Sequence, residues 1–247
     1  MKSSILNSLF FTLLLIFIIS FPANYFITDQ LSYYLFEIAL RLVFLLYFYF
    51  TIRRSGRRFY GDENWKEIAI LSPLFLICFS NMFVCAVYPT RVTFELFDKY
   101  FALQALLDVL TAFVEEIVFR FSFHNSLRIS NRLVRIVASA GIFAAFHALN
   151  LLNGFAISTL IQIVYAFGLG LVLGFLYEYG HSIIMCIVLH FLFNFVNGTL
   201  FDTIFISYNL PITNYLIING CVAGVIAIYM LVIFLIRYKK VNRLYFY

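Results

Sequence analysis

The chain has 247 residues, of which 64% are hydrophobic and only 12% are charged, and its mean hydropathy is +0.96. Because soluble domains carry about 25% charged residues, this composition excludes a water-soluble fold and indicates an integral membrane protein with the lipid bilayer as a partner. The net charge of +5 does not indicate a nucleic-acid partner, since the basic residues cluster between hydrophobic runs, as they do at the cytoplasmic face of a membrane.

Eight hydrophobic runs are each long enough to cross a bilayer as a helix, which takes about 20 apolar residues. They lie at residues 5–27, 31–52, 68–88, 100–124, 134–152, 155–178, 182–200 and 214–236. The runs are continuous and lack the alternation of a membrane barrel, so we predict an all-α fold. The predicted protein is polytopic, with one integral membrane domain over residues 1–247. The first run has no convincing cleavage site and is expected to be a retained span.

The basic residues between the runs predict the orientation. If the N-terminus is cytoplasmic, 13 basic residues fall in cytoplasmic segments, whereas only Arg91 and Lys99 fall in outside loops. This asymmetry agrees with the positive-inside rule. We therefore predict about eight transmembrane helices with both termini in the cytoplasm.

The fourth run contains three ionisable residues within six positions, Glu115, Glu116 and Arg120. A charged side chain at the bilayer centre costs roughly 3 kcal/mol, so such a cluster needs a polar interior and indicates a functional site. Residues four apart share a helical face, and Glu116 and Arg120 are therefore predicted to neutralise each other. Glu115 is left without a local partner and is free to act on water.

Other polar residues of the spans are placed by the same helical periodicity. Glu115 is expected to share a stripe with Gln104, Asp108 and Thr111. His124 is expected to contact Glu116 and Arg120 one or two turns away. Glu178, near the end of its run, is expected to be solvated. In the sixth run, Gly168, Gly170 and Gly174 are expected to let another helix approach closely.

The fifth and seventh runs each carry a histidine, in Phe143-x-x-x-His147 and in His190-x-x-x-Asn194. With a helical rise of about 1.5 Å per residue, Glu115, His147 and His190 each lie roughly 15–20 Å from the predicted cytoplasmic end of their span. This similar depth predicts a single site near the middle of the membrane.

These side chains suit the hydrolysis of an amide. A carboxylate and an imidazole that converge on a water can deprotonate it for attack on a carbonyl. A second imidazole and an amide side chain can stabilise the oxyanion that develops. Alternatively, Glu115, His147 and His190 could hold zinc with an open fourth position, although no HExxH motif is present. The residues leave a metal-dependent and a metal-independent reaction open.

Two functions without proteolysis also fit buried charges. One is a non-catalytic membrane interaction protein, such as an immunity factor that occupies a transporter or receptor. The other is an ion-coupled transporter that uses the buried acids as a relay. Repeated halves and paired interrupted helices, the usual sequence features of such transporters, are not visible in this chain.

Together, the three motifs resemble the CPBP family of intramembrane proteases. This family includes the type II CAAX prenyl endopeptidases and the bacteriocin-processing or self-immunity (Abi) proteins. The motifs are Glu115-Glu116-x-x-x-Arg120, Phe143-x-x-x-His147 and His190-x-x-x-Asn194, and the resemblance runs over about residues 107–198. The chain departs from the family at Phe121, where a glycine often follows the motif arginine.

The resemblance implies an intramembrane endopeptidase, of metallo or glutamate type, that cleaves peptides or membrane proteins. It implies that Glu115 and His147 activate the water, while His190 and Asn194 stabilise the oxyanion. Glu116 and Arg120 would organise the site. The implied location is the cell membrane of a bacterium, with a cavity open to the cytoplasm and a role in peptide or bacteriocin maturation or self-immunity.

Overall fold

The computed structural model describes residues 26–55, 59, 63–87, 99–153, 157–201 and 212–239. These residues form helices and contain no strand, in agreement with the predicted all-α class. The α-helices are α1 (Gln30–Ser55), α2 (Trp65–Leu71), α3 (Ser80–Val87), α4 (Lys99–Glu116), α5 (Arg132–His147), α6 (Ile157–Gly180), α7 (Ile183–Asn194) and α8 (Ile212–Ile233).

Several of these helices continue directly into a tighter or a wider helix. Two 3-10 helices, Ser72–Phe79 and Ala148–Asn153, follow α2 and α5. Three π-helices, Ile117–His124, Phe195–Leu200 and Phe234–Tyr238, follow α4, α7 and α8. The first 3-10 helix begins at a proline in its first turn, and because proline has no backbone N–H, the α-helical pattern cannot continue through it.

Six helical stretches are long and apolar enough to cross a membrane. They are Gln30–Arg54, Trp65–Val84, Arg132–Leu151, Thr159–Gly180, Ile183–Leu200 and Leu216–Tyr238. Each corresponds to one of the predicted runs. The predicted run at 5–27 lies outside the described residues, and the run at 100–124 is helical but carries four charged side chains. A count of eight spans therefore stays a prediction.

The helices alternate in direction, and their ends meet in two places. At one end, which we call the basic end, the α6 terminus meets the start of α2 through a 2.9 Å hydrogen bond from Asn64 N to Gly180 O. Tyr179 of α6 also stacks on Tyr238 there, with ring centroids 3.7 Å apart. The opposite end, which we call the remote end, contains the stacked pair Tyr34 and Tyr100.

The closest helix pair is α5 against α6, and two of the predicted glycines produce it. A Cβ atom on Gly170 would lie 3.0 Å from Ala140 Cα, and one on Gly174 would lie 2.9 Å from Ile136 Cγ2. Gly168 differs, because a Cβ there would meet nothing within 4 Å. The predicted close approach is therefore confirmed at two of the three positions.

Candidate active site

The three motif helices all change their helical geometry at a predicted site residue. The α-helical part of α4 ends at Glu116, that of α5 at His147 and that of α7 at Asn194. π-helical turns occur frequently at functional sites, and here they follow Glu116 and Asn194 directly. No feature of the sequence predicted these changes.

Glu116 lies at the centre of the cluster and is completely buried. Its Oε1 atom accepts a 3.0 Å hydrogen bond from Arg120 Nη1, so the predicted pair is present. The same oxygen lies 2.7 Å from His190 Nδ1 on α7. Because a carboxylate can only accept, His190 donates from Nδ1, and this bond orients its ring with Nε2 on the opposite side.

Arg120 is held from two further helices and is also completely buried. Its Nη2 donates to Gly170 O of α6 at 3.4 Å, and its guanidinium lies 4.6 Å from the centre of the Phe143 ring. The Phe143 ring also packs edge-on against His147 and His190, with centroids 4.8 and 5.8 Å apart. Phe143 thus joins the three motifs by contact, a role that its spacing from His147 alone does not reveal.

Glu115 points to a different side of the helix from Glu116, as helical periodicity predicts. Its Oε2 atom lies 3.7 Å from His190 Nε2. His147 donates from Nδ1 to Phe143 O at 3.0 Å, because a carbonyl can only accept. Glu115, His147, His190 and Asn194 all line one cavity of about 1260 Å³, so the structure brings the four predicted residues together.

The cavity wall continues along α4 as a polar stripe. Gln104, Asp108 and Thr111 line it together with Glu115, as their spacing predicted. Asp108 accepts hydrogen bonds from Gln104 at 3.3 Å and from Thr199 at 2.6 Å. These bonds tie the stripe to the π-helix after α7 and keep a carboxylate at the wall.

A second charged cluster lies nearer the basic end and corrects two predictions. His124 does not reach Glu116; its Nε2 lies 2.7 Å from Glu178 Oε2. Glu178 is buried rather than solvated, and it accepts a 3.0 Å hydrogen bond from Arg135 Nε and pairs with Arg132 at 3.4 Å. The sequence placed Glu178 near a helix end, but it did not show that the arginines of α5 pack over that end.

The zinc alternative requires three ligands that converge on one point. Within the described ranges, no three or more His, Cys, Asp or Glu side chains are grouped so that they could hold a metal ion. His190 uses Nδ1 to contact Glu116, and its Nε2 lies 3.7 Å from Glu115. Two atoms that each lie about 2.0–2.2 Å from one tetrahedral zinc are roughly 3.4 Å apart, so this spacing fits a metal-dependent and a metal-independent reaction alike.

Residues 98–196 match the family model described as type II CAAX prenyl endopeptidase Rce1-like. The match confirms the family resemblance. This Rce1-like segment covers less than half of the chain, but it contains α4 to α7 and therefore all three motifs. Because the family is one of proteases, the match supports a CAAX-type intramembrane protease activity. No curated protein and no solved structure matches the chain.

Proposed function

We propose that this protein is an intramembrane endopeptidase that hydrolyses peptide bonds with a water activated by side chains of the Rce1-like segment. One observation carries the proposal: Glu115, His147, His190 and Asn194 line the same cavity. Directly behind them lies the buried pair of Glu116 and Arg120. An acid, two imidazoles and an amide at one cavity are what water-mediated amide hydrolysis requires.

The proton acceptors are Glu115 and His147. His147 donates its Nδ1 hydrogen to Phe143 O, and the neutral ring therefore has an unprotonated Nε2 that can accept a proton from water. Glu115 supplies a carboxylate at the same cavity. The water oxygen attacks the scissile carbonyl carbon while its proton passes to this pair. The proton then moves to the leaving amine as the carbon–nitrogen bond breaks.

The oxyanion is stabilised by His190 and Asn194. Among the residues that the structure describes, no side chain or backbone group forms a hydrogen bond with the Asn194 amide, which lines the cavity and can donate to the substrate oxygen. His190 donates from Nδ1 to Glu116, and in its doubly protonated form the ring would also present an Nε2–H donor toward the same region. Removing one such donor typically costs 10²- to 10³-fold in rate.

Comparative proteomics of membrane fractions tests the reaction. Cells that carry Glu115→Gln should accumulate uncleaved substrates, because loss of a general base costs about 10²- to 10⁴-fold in rate. Glu67→Gln is the matched control, since Glu67 pairs with Arg237 at the basic end and does not line the cavity. Equal substrate processing in wild-type and Glu115→Gln cells, at equal protein levels, would contradict the proposal.

Metal dependence is tested separately. Because the proposed reaction uses no metal, the purified protein should retain its activity in the presence of a strong chelator. Elemental analysis should find less than one zinc per chain. Loss of activity with chelator, together with recovery on addition of zinc, would instead indicate the metallopeptidase alternative.

A binding role without catalysis is the main competing function, and it predicts a different phenotype. If the protein confers immunity to a bacteriocin by cleavage, alanine at Glu115, His147 and His190 together should abolish protection. Protection that survives the triple substitution would indicate an interaction protein instead. Uptake of a solute into reconstituted vesicles along an ion gradient would indicate the transporter alternative.

We also propose the topology in which the site operates. The basic residues at the end of α1, at the start of α5 and just after α8 favour a cytoplasmic basic end. Together with the runs at 5–27 and 100–124, the six apolar helices give eight spans with both termini in the cytoplasm. A bacterial cell membrane, and peptide or bacteriocin maturation or self-immunity, are the setting that the resemblance suggests.

A further inference from the structure

The cavity occupies the half of the bundle near the remote end. Its α6 wall comes from Leu160 to Leu169 and its α8 wall from Leu216 to Ala223, which are the first halves of helices that end at the basic end. Its α7 wall, from His190 to Thr199, is the last part of a helix that begins at the basic end. The direction of each helix therefore places the cavity on the side of the catalytic residues that faces away from the basic loops.

Closely packed side chains separate the site from the basic end. Behind Glu115, the Glu116 and Arg120 side chains are completely buried. The next layer toward the basic end includes Ile136, Leu173 and Leu176, all 0% exposed.

Beyond that layer lies the Glu178 cluster, where Arg132 also rests 5.8 Å above the Tyr179 ring. None of these residues lines the cavity. The described residues therefore leave no opening between Glu115 and the loops at the basic end.

α6 and α8 illustrate the same asymmetry. Near the basic end they meet through the stacked rings of Tyr179 and Tyr238. Toward the remote end they form separate walls of the cavity, which include the exposed side chains of Val164 and Leu216. Among the described residues, the two helices thus enclose a space that is closed at the basic end.

The charge of the cavity wall limits what can bind there. Among the described lining residues, Asp108 and Glu115 are the acidic ones, and neither lysine nor arginine is present. The carboxamide of Asn194 supplies a donor and an acceptor of the kind that pair with a peptide backbone. Such a wall favours a neutral or positively charged peptide and disfavours an acidic one.

We propose that the site receives its substrate from the outer face of the membrane, as a neutral or basic peptide segment that enters opposite the cytoplasmic basic loops. The inference rests on the proposed protease function and on the positive-inside orientation. It differs from the cytoplasmic access that the resemblance implies, because in this arrangement the cavity and the loops at the basic end lie on opposite sides of Glu115. The substrate class becomes exported peptides and the outer segments of membrane proteins.

Thiol labelling tests the direction of access. The parent form carries serine in place of Cys85 and Cys221, and it keeps Cys78 and Cys186, which are 0% exposed. The probe position is Gly198→Cys at the cavity wall, where a Cβ would meet nothing within 4 Å. The matched position is Ser130→Cys in the exposed basic loop.

The reagents are two membrane-impermeant methanethiosulfonates, one with a trimethylammonium group and one with a sulfonate group. Gly198→Cys should react in intact cells, whereas Ser130→Cys should react only after permeabilisation. After normalisation to a free thiol in solution, the cationic reagent should modify Gly198→Cys about tenfold faster than the anionic one, because two carboxylates lie at the wall. Adding Asp108→Asn should reduce this ratio.

Three results would overturn the inference. In the first, Gly198→Cys is protected in intact cells but modified in inside-out vesicles. In the second, Ser130→Cys is modified in intact cells. In the third, the cationic and anionic reagents modify Gly198→Cys at the same rate. Because thiol labelling does not require catalysis, it is repeated in the Glu115→Gln variant. If Gly198→Cys is labelled only from the cytoplasmic side while proteolysis is normal, the access route alone is rejected. If labelling is as expected but Glu115→Gln leaves proteolysis unchanged, the proposed reaction alone is rejected.

Discussion

Two clusters of the same residue types lie at different levels of this helical bundle. Glu116 contacts Arg120 and His190 at the cavity, and Glu178 contacts Arg135 and His124 near the basic end. In each, one buried carboxylate is shared between a guanidinium and an imidazole. Composition and burial alone would therefore nominate both clusters as functional sites.

Their surroundings separate them. Next to the first cluster stands a second acid, Glu115, which faces a cavity of about 1260 Å³ with His147 and Asn194. The Glu178 cluster has no member at the cavity and is completed by a further arginine, Arg132. A shared buried carboxylate thus holds helices together at both levels, whereas chemistry requires an additional group that can reach a substrate. The following substitutions test this distinction.

The largest expected effect is that of Arg120→Met. Removing this arginine leaves the Glu116 charge buried without its cationic partner, which typically costs about 3–5 kcal/mol. Thermal unfolding in detergent should show the loss of stability, and activity should be lost with it. The double variant Glu116→Gln with Arg120→Met removes both charges and should recover most of the stability. A single variant as stable as the wild type would contradict the buried ion pair.

Asn194→Ala should affect chemistry rather than stability. Within the described part of the chain the amide makes no hydrogen bond, so its removal should leave the unfolding temperature nearly unchanged. Loss of an oxyanion donor should lower kcat by about 10²- to 10³-fold, with a small change in KM. Asn197→Ala is the contrasting variant, because Asn197 bonds to Asn81 and Ile77 and should mainly lower stability. Equal kcat for Asn194→Ala and wild type would remove Asn194 from the mechanism.

Glu178→Gln should give the reverse result. It weakens the charged hydrogen bonds with Arg135 and His124, and since Arg135 is 26% exposed the loss should be about 1–3 kcal/mol. Activity per folded molecule should be unchanged, because the cluster does not line the cavity. Measuring kcat alongside the unfolding temperature distinguishes the two levels. A fall in kcat without a loss of stability would show that the second cluster takes part in the reaction.

The sequence was sufficient for features set by hydrophobic length and helical period. The six apolar helices, the i to i+4 pair of Glu116 and Arg120, and the stripe that contains Glu115 all follow from these two quantities. Contacts between distant segments were not predictable in this way. The bond between Glu116 and His190 joins positions 74 residues apart, and the burial of Glu178 depends on the arginines of another helix.

The side of the site on which the helices are closely packed was also beyond sequence reasoning. The depth estimate placed Glu115, His147 and His190 at one level, which agrees with their shared cavity. It could not determine on which side of that level the bundle is closely packed. That depends on side-chain volumes along all the helices, such as the fully buried Ile136 and Leu173, and on close approaches that one residue can change.

Gly170→Ala tests the packing on which both levels depend and should have the smallest effect. The added methyl would meet Ala140 Cα at 3.0 Å, and because that atom belongs to the backbone, α5 and α6 must separate slightly. Overpacking of this kind costs about 1–3 kcal/mol, and the shift would also disturb the carbonyl that accepts from Arg120. The matched control is Gly141→Ala, where a Cβ meets nothing within 4 Å. That variant should stabilise α5 by roughly 0.5–1 kcal/mol, since alanine is the better helix former. If both variants shift the unfolding temperature in the same direction, the close contact between α5 and α6 is not what holds Arg120 in place.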